Sequence, residues 1–132
     1  MDAATKRFVQ ARANERCEYC RLPQAAQPYA TFHIDHVVPR THGSGDESLN
    51  ICLACERCNA FKGPNLSGID ATTGNVERLY DPRTQMWAEH FELRGALILG
   101  LTSVGRVTVE VLRFNAGHRV QLRSDLLARG EL

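Results

Sequence analysis

Residues 17–62 begin with Cys17-Glu-Tyr-Cys20 and end with Cys55-Glu-Arg-Cys58-Asn59-Ala-Phe-Lys62. Each C-x-x-C pair favours a tight turn that directs two thiolates to one point, and two such turns complete a tetrahedral zinc site. Two alternatives are a pair of disulfides, which a reducing cytoplasm disfavours, and an iron–sulfur cluster, which the spacing leaves open. A redox dithiol would need only one pair. We therefore predict structural Zn²⁺ on all four cysteines, and the fifth, Cys52, as a small buried residue.

Polar side chains of the kind that bind metals lie between and just after the two cysteine pairs: His33, Asp35, His36, His42, Asn50 and Asn59. Residues 31–38 predict a strand that Pro39 ends, residues 49–53 a second strand, and residues 58–62 a short helix. A strand end opposite a helix start can place a carboxylate, an amide oxygen and an imidazole around one cation. Oxygen ligands favour Mg²⁺ or Mn²⁺ over zinc. Neighbouring strand residues face opposite ways, so Asp35 and His36 both face inward only if the strand distorts or ends there.

The order, spacing and types of these residues resemble the HNH endonucleases, in the subtype with a four-cysteine zinc site. The resemblance covers about a third of the chain, and it rests on the cysteine pairs, His33-Ile-Asp-His-Val-Val-Pro39, Leu49-Asn50 and Asn59-x-x-Lys62. It implies an α+β fold with a ββα-metal (His-Me finger) core over about residues 15–66. The stretches 79–83, 87–91 and 100–106 are similar to the tails of small stand-alone bacterial HNH proteins, notably cyanobacterial ones, and their role is unexplained.

The resemblance also implies a role for each matching residue. His36 matches the general base that takes a proton from the attacking water, a role that suits an imidazole titrating near neutrality. Asp35 and Asn59 match the ligands of one catalytic divalent ion, Mg²⁺ or Mn²⁺. Asn50 matches the residue that orients the loop carrying the histidine.

The implied reaction is hydrolysis of phosphodiester bonds in DNA, which leaves 5′-phosphate and 3′-hydroxyl ends, and RNA is an alternative substrate. Arg40 and Lys62 flank the site and are our candidates for phosphate contacts. His33 and His42 have no assigned role. The alternative function is a catalytically inactive, zinc-stapled module that binds nucleic acid.

Outside the motif, apolar spacing predicts a helix over residues 3–14, with Phe8 and Ala11 on one side, and a C-terminal extension of a hairpin plus helices over about 67–132. The hairpin joins residues 86–93 to 96–101 through Arg94-Gly95. Residues 104–114 fit a strand or a helix, and Thr102 as an N-cap favours the helix. A last helix over 117–128 is expected to present Val120, Leu122, Leu126 and Leu127. The turn-rich residues 63–68 are an internal boundary too short for a flexible linker, so we expect one domain over residues 1–132.

The composition is neither strongly basic nor typical of a membrane protein. The 132 residues include 16 Lys+Arg and 15 Asp+Glu, a formal charge of +1, and all but two of the basic residues are Arg. A nuclease that needs only a local hold on phosphate can be neutral overall. The apolar stretch 96–101 is far too short to span a bilayer. The first sixteen residues lack the apolar core of a secretory signal, so we expect a cytoplasmic protein.

Overall fold

Two short antiparallel strands and a helix form the centre of the N-terminal half. The computed structural model describes all of residues 1–132. Strand β1 (His33–His36) pairs with β2 (Ile51–Ala54), and helix α2 (Glu56–Lys62) follows directly. Helix α1 (Ala3–Arg12) and α2 both contact β2, and all four residues of β2 are buried. A continuous apolar strand is expected where both faces of a sheet are covered. The predicted strand–strand–helix order is confirmed.

Helix α1 buries a different residue from the one expected. Phe8 is 52% exposed, whereas Val9 is completely buried and Ala11 faces solvent. The helix begins after Asp2, whose carboxylate accepts a hydrogen bond from the amide of Thr5, and it ends at Arg12 rather than residue 14. Phe8 and Val9, the two large apolar residues of this helix, are neighbours in the sequence, so the spacing does not show which of them is buried.

The C-terminal half contains two further hairpins and three helices: β3 (Ser67–Ile69), β4 (Val76–Arg78), α3 (Trp87–His90), β5 (Phe91–Arg94), β6 (Leu97–Gly100), α4 (Ser103–Val111) and α5 (Gly117–Ala128). The hairpin through Arg94-Gly95 is confirmed. Its first strand starts only at Phe91, because residues 87–90 form a helical turn. The helix favoured over 104–114 is confirmed, and the Thr102 hydroxyl caps it by accepting a hydrogen bond from the Gly105 amide (3.1 Å).

The β3–β4 hairpin was not predicted. Its residues are mostly polar and do not alternate, so the sequence shows only turns there. The hairpin packs on α4, and Gly68 lies so close to Val107 and Val111 that a β-carbon would overlap both side chains. Tertiary packing therefore provides what local propensity does not.

Helix α5 has the predicted bounds but a different buried face. Of its expected apolar residues only Leu126 is fully buried, and Leu127 is 41% exposed. Two arginines, Arg119 and Arg123, are buried instead. The core is one cluster of 22 buried residues that runs from Val9 to Leu126, so it draws on both halves of the chain. The α+β class, with a ββα core and an extension of hairpins and helices, is confirmed.

Candidate metal centre and active-site cleft

The four paired cysteines meet at one buried point. Their Sγ atoms all lie within 4.8 Å of one another. The amide of Cys20 donates to the Sγ of Cys17, and the amide of Cys58 donates to the Sγ of Cys55, both at 3.4 Å. These equivalent turns aim the thiols at each other from the segment after α1 and from the start of α2. Cys17, Cys20, Cys55 and Cys58 could therefore hold a metal ion.

The chemistry of this cluster fits zinc. Four sulfur ligands with no open position are typical of a structural zinc site. Hydrogen bonds among the four thiols lower the pKa of Cys20 and Cys55, whereas burial raises the pKa of Cys17 and Cys58. The lowered pKa favours the thiolate, which is the form that binds metals. Arg119 of α5, only 6% exposed, donates to the Sγ of Cys58 at 3.0 Å. A buried cation needs a negative partner, and thiolates provide one.

A second group of predicted residues lines an open cleft of about 280 Å³ at the end of β1. Asp35 and His36 of β1, Asn59 of α2 and Arg40 are among its lining residues. The structure thus brings residues that are up to 24 positions apart in the sequence to one cleft. One carboxylate and one amide oxygen are a small protein donor set, which suits Mg²⁺ because that ion retains water and also takes phosphate oxygens.

Asp35 and His36 remain on opposite sides of a regular strand. Asp35 is 6% exposed, and its Oδ2 accepts a hydrogen bond from the Tyr19 hydroxyl at 2.7 Å. His36 points outward, where its Nε2 lies 2.7 Å from Oδ1 of Asp46. Both residues nevertheless line the cleft, which lies at the end of this strand, next to Pro39.

Lys62 differs from expectation, since it faces inward. It is 1% exposed, its Nζ lies 3.1 Å from Oδ2 of Asp35, and it donates to the carbonyl oxygen of His36 at 2.8 Å. The last turn of α2 packs against β1, so the ammonium ends beneath the strand instead of beside it. In this position Lys62 contacts the Asp35 carboxylate and is almost closed to solvent, so its contact with a phosphate stays a prediction.

Arg40 lies on the surface, and it shares a partner with His36. Its guanidinium is paired with Asp46, 2.5 Å away, and the Arg40 side chain is 62% exposed. Arg40 first, and His36 second, lower the pKa of Asp46 to about 2. Asp46 is the residue of this site that sequence reasoning missed. An acidic residue in a polar, glycine-containing loop gave no signal that distinguished it from its neighbour Glu47.

Asn50 fastens the loop between β1 and β2. Its Oδ1 accepts a hydrogen bond from the amide of Val38 at 2.9 Å. Its Nδ2 donates to the carbonyl oxygens of Val38 and Gly45, at 3.0 and 2.9 Å. Three contacts from one side chain therefore hold both ends of the segment that follows His36.

The remaining polar residues near the motif differ in their surroundings. His33 is exposed on β1, and His42 is exposed with its Nε2 at 3.1 Å from the carbonyl oxygen of Pro64. Cys52 is completely buried, as predicted, beside Tyr19 and Asp35. Burial raises the pKa of both Cys52 and Tyr19, so each remains protonated at neutral pH.

Comparison with known proteins adds one finding. The family model described as HNH endonuclease matches residues 17–65. This segment contains both cysteine pairs and all residues of the cleft named above. Neither the curated proteins nor the solved structures gave a match. None of the helices combines the length and the apolar character needed to cross a membrane.

Proposed function

We propose that this protein hydrolyses phosphodiester bonds in DNA at the cleft lined by Asp35, His36 and Asn59, and the match of residues 17–65 to the HNH endonuclease family model supports the proposal. The observation that carries the proposal is the meeting of a histidine, a carboxylate and an amide in one open cleft. An imidazole can activate water, and the two oxygen donors can hold a hard cation.

His36 is the proposed general base, and Asp46 determines which of its nitrogens acts. A carboxylate only accepts hydrogen bonds, so Nε2 of the neutral ring carries the proton and donates a hydrogen bond to Asp46. Nδ1 is then the unprotonated nitrogen that accepts a proton from the attacking water. The water oxygen bonds to phosphorus, and the bond from phosphorus to the 3′ oxygen breaks. The 3′ oxygen then takes a proton from solvent, so the ends are a 5′-phosphate and a 3′-hydroxyl.

Asp35 and Asn59 are the proposed ligands of a catalytic Mg²⁺ or Mn²⁺. Such an ion, when bound, stabilises negative charge on the leaving oxygen. The chain's own contribution is to hold Asp35 in place: the Tyr19 hydroxyl and the Lys62 ammonium both contact its carboxylate. A ligand fixed in this way loses little side-chain entropy when a cation binds.

Arg40 is the proposed phosphate contact, and Asn50 is the proposed positioning residue for the histidine loop. Arg40 is exposed at the border of the cleft, and a guanidinium matches the geometry of a phosphate well. Its present partner Asp46 is also exposed, so exchange of that partner for a phosphate costs little. The hydrogen bonds of Asn50 hold the loop from Val38 to Gly45 in which Arg40 lies.

The test is cleavage of supercoiled plasmid by the purified full chain with Mg²⁺ or Mn²⁺. We expect nicked or linear DNA, no reaction without the divalent ion, and a rate at least about 100-fold lower for His36→Ala, because a general base contributes that much. His118→Ala is the matched control, since His118 is exposed on α5, and we expect it to cleave as the wild type does.

Two outcomes would overturn the proposal. Equal cleavage by wild type and His36→Ala would attribute the activity to a contaminant. Binding of DNA without cleavage under any divalent ion would favour the inactive nucleic-acid-binding module. A parallel reaction with single-stranded RNA distinguishes the two substrate classes.

A further inference from the structure

A second cleft, of about 510 Å³, lies between α1 and β1. We call it the α1 groove. Lys6 and Gln10 of α1 form part of its lining, as do His33 and His36 of β1. Lys6 and Gln10 are four positions apart, so they share one face of the helix. Arg7, although exposed on the same helix, does not line the groove.

The α1 groove adjoins the active-site cleft. Ile34, His36 and Arg40 line both. A chain that passes over His36 from the side of Asn59 therefore enters the groove directly. The proposed general base lies where the two clefts meet, and the groove extends from there along α1.

The charged side chains that line the α1 groove are all positive, whereas the whole chain is almost neutral. Lys6 and Arg40 are cationic, and no acidic residue lines the groove. The nearest carboxylate at His36 is that of Asp46, and Arg40 and His36 already pair with it. In a protein with a formal charge of only +1, this is a local concentration of cationic groups.

The wall formed by α1 is fixed relative to the active site. Val9 anchors the helix in the core, where it is completely buried. Arg12, at the end of the helix, donates to the carbonyl oxygens of Ser48 (2.8 Å) and Ile51 (2.5 Å), which flank Asn50. The segment of Cys17 and Cys20 follows within a few residues. A basic residue on such a wall is presented at a constant distance from His36, whereas one on a free terminal arm would not be.

We propose that the α1 groove binds the phosphodiester backbone of DNA next to the scissile phosphate, with Lys6 as its main phosphate contact beyond Arg40. This inference rests on the proposed function, because it takes the strand over His36 as the substrate. It also gives α1, which lies outside the HNH match, a part in substrate binding.

The test measures binding of a fluorescent duplex oligonucleotide by anisotropy over a series of salt concentrations, in a His36→Ala background that prevents cleavage. A phosphate contact contributes about 0.9 to the slope of log K against log salt. We expect Lys6→Ala to reduce that slope by about this amount and to weaken binding equally for two unrelated sequences. Arg7→Ala is the matched control, one residue away and outside the groove, and its slope should equal that of the parent.

The possible outcomes distinguish the proposal of a DNA-binding groove from the proposal of a hydrolytic activity. An unchanged salt slope for Lys6→Ala, or an equal reduction of the slope in Lys6→Ala and Arg7→Ala, would contradict DNA binding in the α1 groove even if plasmid is cleaved. A slope lost only in Lys6→Ala supports the groove even if no cleavage is found, and then only the hydrolytic function fails. Melting temperatures of both variants verify that neither effect comes from unfolding.

Discussion

Arg119 connects the C-terminal helix to the cysteine cluster through a charged hydrogen bond. Its guanidinium donates to the Sγ of Cys58 at 3.0 Å and to the carbonyl oxygen of Leu112 at 2.6 Å. A zinc ion bound by four thiolates carries a net charge of −2, so a buried guanidinium beside it reduces the cost of burying that charge. Arg123 is an equally buried arginine on the same helix, but its partners, which include the carbonyl oxygens of Ala96 and Phe114, are all neutral.

We expect Arg119→Met to release zinc about 10-fold faster to a colorimetric chelator, because groups that hydrogen-bond to metal ligands commonly change metal affinity by this factor or more. Arg123→Met is the control: it loses a buried arginine on the same helix without touching a cysteine. Equal release rates in the two variants would mean that helix packing, and not the contact with sulfur, retains the metal.

At the scale of elements, two glycines allow α4 to approach its neighbours closely. A β-carbon on Gly105 would overlap the carbonyl oxygen of His90, and one on Gly100 would overlap the backbone of Arg106. Thr102 caps the same helix. Arg106 pairs with Asp70 at 2.8 Å, next to the β3–β4 hairpin. The stretch Gly100-Leu-Thr-x-x-Gly-Arg106, unexplained from the sequence, is therefore a packing motif that joins β6, α4 and the hairpin.

Gly105→Ala should lower the free energy of unfolding by about 1–3 kcal/mol, since an added methyl group in a full contact forces the backbone apart. Gly117→Ala is the matched substitution at the start of α5, where nothing lies within 4 Å of the added carbon. There we expect no loss, or a gain of up to about 1 kcal/mol from reduced entropy of the unfolded chain. Urea unfolding compares the two, and similar midpoints would contradict the proposed close contact.

At the scale of the molecule, residues 18 and 19, between the first two cysteines, are one of the places where the two halves meet. The indole Nε1 of Trp87 donates to the carbonyl oxygen of Tyr19 at 2.7 Å. Arg83 forms an ion pair with Glu18, and the side chains of both are about 10% exposed. The stretches 79–83 and 87–91 thus brace the turn that presents Cys17 and Cys20. We propose that residues 1–132 unfold as one domain.

Trp87, the sole tryptophan, provides the measurement. We expect its fluorescence to change at the same temperature as zinc is released, because the bonds to residues 18 and 19 couple the two halves. Removal of zinc should lower the temperature of the fluorescence transition as well, since metal binding contributes to folding free energy. Two separated transitions, or a fluorescence transition indifferent to zinc, would show independent halves.

Local spacing was enough to predict the four-cysteine cluster, the ββα order, the hairpin at residues 94–95 and the bounds of the last helix. Each depends on residues close in the chain: a C-x-x-C turn, a proline that ends a strand, a threonine that caps a helix. Asp35, His36, Arg40 and Asn59, which line one cleft, were selected from the sequence because they follow the order and spacing of a recognisable motif, and their roles stay predictions.

What could not be predicted depends on contacts between distant residues. Lys62 turns inward because Asp35 and the carbonyl oxygen of His36 lie beneath it, and Asp46 reaches His36 because the loop folds back over the cleft. Arg119 is 61 residues from its cysteine partner. From the sequence, a charged side chain is expected to be exposed to solvent. The partner that offsets the cost of its burial is distant in the sequence and therefore cannot be identified there. The types and the order of the functional groups were therefore determined by the sequence alone. Whether each charged side chain faces the interior or the solvent was decided only by the fold, because that depends on partners distant in the sequence.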